Sequence, residues 1–242
     1  MPRRLIIDTD PGIDDAAAIL MALGSPEVQV EALTTVFGNT PVQRCTINAL
    51  RILEVAGRAD IPVFQGSARP YDFGEPAFAA SIHGKDGLGD AGLPEPSAKA
   101  QARAAVLEIV ERVMASPGEI TIAAIGRLTN VALAISVEPR VADAVQEIVV
   151  MGGAVTVPGN ASLVASANLI GDPMAADIVY RSGAKIAQIG LDVCDKVEIS
   201  RVQQEQAWSG DSDAERFMRQ LTPFVQRAYN AQGRLGDREA VH

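Results

Sequence analysis

Cysteine, histidine and aromatic residues are scarce in this chain: two cysteines, two histidines and one tryptophan stand among 242 residues, and aromatics make up 4%. Cys45 and Cys194 are far apart and lack metal-ligand spacing. Counting allows them one disulfide, but two free thiols in a cytoplasmic protein is the better reading. Long apolar runs are missing too, and none could span a bilayer. The opening stretch MPRRLIIDTDPG reaches Asp8 too soon to hold a signal-peptide core. Positive charge is in deficit, with 21 Lys and Arg against 30 Asp and Glu, a net −9. That balance argues against a nucleic-acid or anionic-membrane binder and leaves room for a small neutral or cationic substrate and for a bound cation.

What is present is material for a core. Hydrophobic residues are 48% and charged residues 21%, which suits one large domain over residues 1–242. Residues 5–7 read as a buried parallel strand that meets Asp8. Residues 14–22, rich in alanine and leucine, predict a helix; 28–36 a second strand; 41–56 a helix stopped by Gly57; and 61–64 a short third strand. Residues 65–96 are dense in glycine and proline and carry no period. They read as a packed functional loop, with a disordered linker as the alternative. Ser97 is placed as the cap of a helix running to about Ala115. Then follow a strand at 120–125, a helix at 128–135 and a strand at 148–151 ended by Gly152-Gly153. Asp172-Pro173 opens a helix to about Arg181, 185–191 returns to strand, and most of 200–231 reads as helix. The alternation predicts an α/β fold, a mostly parallel central sheet with helices on both faces, whose ligands sit beyond the carboxyl ends of the strands.

Chemistry concentrates at the first such end. Asp8, Asp10, Asp14 and Asp15 fall within LIIDTDPGIDD. Pro11 holds Asp10 extended and Gly12 permits a sharp turn, so the two pairs of carboxylates can fold toward one another. Carboxylates gathered in this way need a proton or a cation, and hard oxygen ligands suit Ca²⁺ or Mg²⁺. Helix capping explains one or two of them, not four around a Pro-Gly turn. Asp8-Thr9-Asp10 also has the spacing of haloacid-dehalogenase-like phosphatases, but Gly12 stands where that family has threonine. A response-regulator receiver, which also clusters aspartates at a strand end, is much shorter than this chain.

An ordered set of further segments accompanies the cluster: DTDPGIDDAAAILMAL at 8–23, TTVFGN at 34–39, HGKDGLGD at 83–90, GRLTNVALAI at 126–135, VVMGGAV at 149–155, GN at 159–160 and ANLIGDPMAA at 167–176. Together they resemble the nucleoside hydrolase family of the inosine-uridine-preferring type. The resemblance implies a Rossmann-like nucleoside hydrolase fold and hydrolysis of the N-glycosidic bond of purine or pyrimidine ribonucleosides, releasing ribose and free base. It implies one Ca²⁺ held by Asp10, Asp15 and the carbonyl of Ile125, with Asp10 as general base on calcium-bound water. It matches Asp14, Asn39, Asn160 and Asn168 to ribose-binding positions and sets Met151 beside the sugar. His83, in a flexible Gly-rich loop, is a secondary candidate for protonating the leaving base, against the reading of a solvent-exposed loop histidine. A homodimer or homotetramer is the implied assembly.

Three departures bear on those expectations. Ser166 stands where the family has a glutamate that contacts ribose, so a hydroxyl replaces a charge. Arg127 replaces the commoner proline and is read as exposed at a helix start. The chain ends at His242, where the family pattern continues His-Asp-Pro, the histidine acting as leaving-group acid and the aspartate completing the calcium shell. The domain is therefore expected to be incomplete at its carboxyl terminus, binding Ca²⁺ weakly and turning over slowly. The alternative function is a catalytically impaired nucleoside- or ribose-binding protein or assembly subunit with the same fold.

Overall fold

A computed structural model describes residues 1–197, 199–231 and 240–241. In chain order the elements are β1 (Arg3–Thr9), α1 (Ile13–Gly24), β2 (Val28–Thr35), α2 (Val42–Val55), β3 (Val63–Gln65), α3 (Ala80–His83), α4 (Ala105–Ala115), β4 (Ile120–Ala124), α5 (Thr129–Val137), α6 (Val141–Ala144) and β5 (Glu147–Met151). They continue with α7 (Ala167–Ile170), α8 (Pro173–Arg181), β6 (Ile186–Ile189), α9 (Leu191–Cys194), β7 (Ile199–Ser200), α10 (Arg201–Ala207), α11 (Asp213–Ala231) and β8 (Ala240–Val241).

Six strands form one sheet in the order β3-β2-β1-β4-β5-β6, and every pairing in it is parallel. β1 shows how sequence sets the layers. Its period of two sends Ile6 to one face and Leu5 and Ile7 to the other. Ile6 joins a core with Ile109 of α4, Val131 of α5 and Val179 of α8. Leu5 and Ile7 join a second core with Ile19 of α1, Leu53 of α2 and Leu221 of α11. Ile6 and Ile19 are both fully buried, and each such side chain contributes about 1.5–3 kcal/mol of transfer free energy.

The strand order reverses between β1 and β4. Their outgoing chains diverge to opposite sides of the sheet, which opens a crevice at the carboxyl ends where ligands bind in such folds. Asp8 and Asp10 leave β1 there, and Ile125 and Gly126 leave β4. The Asp8 carbonyl accepts from the N–H groups of Ile125 and Gly126 at 2.9 and 3.2 Å, locking the two exits together.

Most element boundaries match the sequence reading, and α8 begins as expected: Asp172 accepts from the Ala175 N–H and Pro173 takes the first helical position. The helix expected from Ser97 is a correction. It begins at Ala105, because Ser97 is held by Glu54 Oε1 through both its N–H and its hydroxyl, and the Gln101 N–H donates to the Val63 carbonyl. These long-range bonds keep residues 97–104 out of a helix. The loop at 65–96 contains one helical turn, α3, and the strand expected at 185–191 ends at Ile189 before the short α9. Both cysteines are free. Among the described residues no helix is long and apolar enough to cross a membrane.

Candidate functional site

Asp10, 3% exposed, sits in a cradle of glycines. A Cβ at Gly38 would collide with its Oδ2, and one at Gly126 would lie 2.7 Å from its Oδ1. The Asn39 N–H donates to Asp10 Oδ2 at 2.7 Å. Asp15, on the first turn of α1, accepts from Thr9 Oγ1 at 2.6 Å and from the Gly12 N–H at 2.9 Å. It thus caps its own helix while facing the crevice. The Asn39 side chain straddles the pair, its Nδ2 donating to the Asp10 carbonyl at 3.0 Å and to Asp15 Oδ2 at 3.2 Å.

Burial and neighbouring carboxylates push both carboxyls up. Asp10 is raised well above the usual range, first by burial and then by the Asp15 charge, with Arg127 pulling the other way. Asp15 is raised to about 7 by burial and the Asp14 charge. Two buried carboxylates that resist ionising together, beside the Ile125 carbonyl, are an oxygen donor set of the hardness Ca²⁺ prefers. Among the described residues there is no group of three or more His, Cys, Asp or Glu that could hold a metal ion; Asp10, Asp15 and Ile125 line one cavity. The chemistry of two carboxylates and a carbonyl is of the kind that suits a calcium ion.

The other site residues line the same cavity of about 250 Å³: Asp10, Asp14, Asp15, Asn39, His83, Ile125, Met151, Asn160, Ser166 and Asn168. Asn168 Nδ2 donates to the Ile125 carbonyl at 2.8 Å and to the Met151 carbonyl at 3.2 Å, tying α7 to both strand ends. Asn160 Oδ1 accepts from the Ala167 N–H at 2.8 Å. Ser166 is buried, and its Oγ accepts from the Gly153 N–H at 2.7 Å. His83 is buried as well, at 6% exposure, rather than solvated on a loop tip. Its Nδ1 accepts from the Ile13 N–H at 3.3 Å and lies 3.6 Å from Asp14 Oδ1, which leaves Nε2 as the donor nitrogen of the ring. A wider groove of about 580 Å³ continues from Asp14, Met151 and Asn160 to Leu191, Cys194, Asp195 and Tyr229. His242 lies outside the described residues.

Arg127 is a further correction. It is 7% exposed rather than solvated, because its guanidinium stacks over the Phe37 ring, 4.5 Å from the centroid. Sequence reasoning also passed over Asn130, which anchors the floor behind the cavity. Its Nδ2 donates to Asp8 Oδ1 at 2.8 Å and to the Thr35 carbonyl at 3.0 Å, and its Oδ1 accepts from the Ser67 N–H at 2.9 Å. A polar residue inside an apolar helix run was the available signal. Tyr229, on α11, lines both cavities without any local motif to mark it.

Comparison with known proteins bears on the family and the fold. The sequence pattern of the inosine-uridine preferring nucleoside hydrolase family matches residues 5–242. The chain is 49% identical over 197 residues to uridine nucleosidase 1 of Arabidopsis thaliana, covering 81% of this chain and 59% of that protein. It is 37% identical over 244 residues to the inosine-uridine preferring nucleoside hydrolase of Crithidia fasciculata, covering 100% and 76%. The chain thus spans about three-fifths of the plant uridine nucleosidases it matches. Among solved structures, a plant nucleoside hydrolase superposes with a TM-score of 0.95 at 39% identity, covering 100% of this chain and 75% of that one. A purine-preferring ribonucleoside hydrolase from Gardnerella vaginalis gives 0.90 at 34% identity, covering 95% and 74%. By sequence pattern and by superposition on solved members of the same fold, the chain belongs to the inosine-uridine preferring nucleoside hydrolase family.

Proposed function

We propose that this chain carries the active site of a calcium-dependent ribonucleoside hydrolase. The observation that carries the reading is the convergence of Asp10, Asp15, the Ile125 carbonyl and three asparagines on one cavity at the strand crossover. In the reaction a water oxygen bonds to C1′ of ribose, the C1′–N electron pair leaves with the base, and the base takes up a proton. Asp10 is the group that receives the proton of the attacking water: it is buried at the floor of the cavity, and the Asn39 N–H fixes its orientation. Asp14, Asn160 and Asn168 orient the ribose hydroxyls, and their negative charge and amide oxygens favour the positive charge that develops on the sugar. His83 Nε2 is the donor available to the leaving base. A calcium ion held by Asp10, Asp15 and the Ile125 carbonyl would supply charge that keeps both carboxylates ionised and polarises water and ribose hydroxyls.

Uridine is the first substrate to test, because the Arabidopsis relative is named a uridine nucleosidase; inosine, cytidine and adenosine follow. Ribose release in calcium-replete buffer is the assay. Asp10→Ala is expected to abolish release and calcium retention together, whereas Asp14→Ala keeps the metal and weakens sugar binding. Folded, calcium-loaded protein without any release would defeat the reading. So would equal calcium retention by Asp10→Ala and the unmodified protein. Association into dimers or tetramers belongs to the same proposal and is read by light scattering.

One observation favours a second reading. Ser166 supplies no charge, and its Oγ is already engaged by the Gly153 N–H, so a protein that binds a nucleoside without turnover is the alternative. Calorimetric binding of ribose or uridine, with no product formed, would select it.

A further inference from the structure

Arg127 stands where three loops meet, and each loop carries or adjoins an element with a residue of the cavity. Its guanidinium lies over Phe37 at 4.5 Å, two residues before Asn39. Its Nη2 donates to the Ala77 carbonyl at 2.6 Å, on the chain leading to His83. On another side is Gly171, just beyond Asn168, where a Cβ would collide with Arg127 Nε. The side chain is 7% exposed, and its Nη1 has no partner. Burying a guanidinium with an unpaired nitrogen is costly. An apolar side chain of similar length would fill the space without that cost, but it could neither hold the Ala77 carbonyl nor stack as a planar cation on Phe37.

α3 itself packs against α11, with Ile82 against the second core, but the stretch that precedes it has few other ties. Near its start the Tyr71 N–H donates to Asp172 Oδ2 at 2.8 Å, and later the Ala79 N–H donates to the Asn39 carbonyl at 3.1 Å. The bond to Ala77 falls between them. We propose that Arg127 is a positioning residue that pins residues 72–83 against the β2–α2 and α7–α8 turns and so fixes His83 at the cavity. Its catalytic consequence rests on the hydrolase reading; its structural consequence does not.

Amide hydrogen exchange read by mass spectrometry tests the inference in the full chain. In Arg127→Met, peptides covering residues 72–83 are expected to exchange about tenfold faster, while peptides from β1 and β4 stay unchanged. Low-millimolar guanidinium ion, but not urea at the same concentration, should slow the loop again. Arg127→Lys, which keeps a donor but not the planar stack, should fall between. Gly171→Ala crowds the guanidinium from the other side and should speed the same peptides, giving a second route if Arg127→Met folds poorly. In the ribose-release assay kcat should fall more than KM rises. If the unmodified protein releases no ribose, the hydrolase reading fails while the exchange result still decides the role of Arg127. Unchanged loop exchange in folded Arg127→Met, or acceleration shared equally by β1 and β4, would overturn the proposal.

Discussion

Replacing Asn130 with alanine removes one side chain that holds three segments together. Asn130 is fully buried on α5 and bonds Asp8 of β1, Thr35 of β2 and Ser67 beyond β3. The truncation strands the Ser67 N–H, at a cost of about 1–3 kcal/mol, whereas the Thr35 carbonyl keeps the Gly66 N–H at 2.9 Å. Asp8 keeps only the bond from Thr34 Oγ1 at 2.6 Å, and its Oδ2 already has no partner. With the lost bond to Asp8 the total is about 2–4 kcal/mol, reduced if water enters the new space. The loss should depend on pH. Burial lifts the Asp8 carboxyl to about 7, and the Asn130 bond holds it down from a still higher value. A carboxyl raised in the folded state stabilises the fold at low pH, and that stability is lost as pH rises through the folded value. Without Asn130 that value climbs further, so the stability gap between Asn130→Ala and the unmodified protein keeps widening above about pH 7. Urea unfolding at about pH 5.5 and about pH 8.5, in chelator throughout so that the neighbouring carboxylates act alike in both proteins, measures both quantities. A loss below about 1 kcal/mol, or one that shrinks as pH rises, would refute the account.

Other outcomes follow from the same geometry. Because Asp10 and Asp15 are both raised in the folded state, chelated protein should lose thermal stability as pH climbs from about 4 to beyond 7, and calcium should flatten that slope; an equal slope with and without calcium counts against the metal site. Asp172→Ala removes the α8 cap and the acceptor for the Tyr71 N–H and Thr129 Oγ1, and should cost about 2–4 kcal/mol in denaturant unfolding. Asp192 accepts from the N–H groups of Val155 and Thr156 at 2.9 and 2.6 Å and so steadies the loop that delivers Asn160. Asp192→Ala should raise KM for the nucleoside several-fold while the melting temperature moves little; an unchanged KM would show that the loop holds its place without it.

The linear sequence settled the parts that depend on neighbours along the chain. Apolar runs ending in Asp8 and in Gly152-Gly153 define strands whatever else is present, and Asp172-Pro173 opens a helix because capping and a fixed φ are local effects. The Asp-Pro-Gly turn likewise brings Asp10 and Asp15 together within six residues, which made the acidic site legible before any fold was known. What only the tertiary structure decided are relations across long separations. Ser97 looks like a helix cap until Glu54, 43 residues earlier, takes its N–H and hydroxyl. Arg127 looks like a solvated helix-start residue until Phe37, Ala77 and Gly171 close around it. Asn130 reaches Asp8 across 122 residues, and His83 is buried by the backbone of Ile13, 70 residues away. A side chain's propensity and charge are written in its own position; whether water or protein surrounds it is set by which distant segments the parallel crossovers bring to the same edge of the sheet.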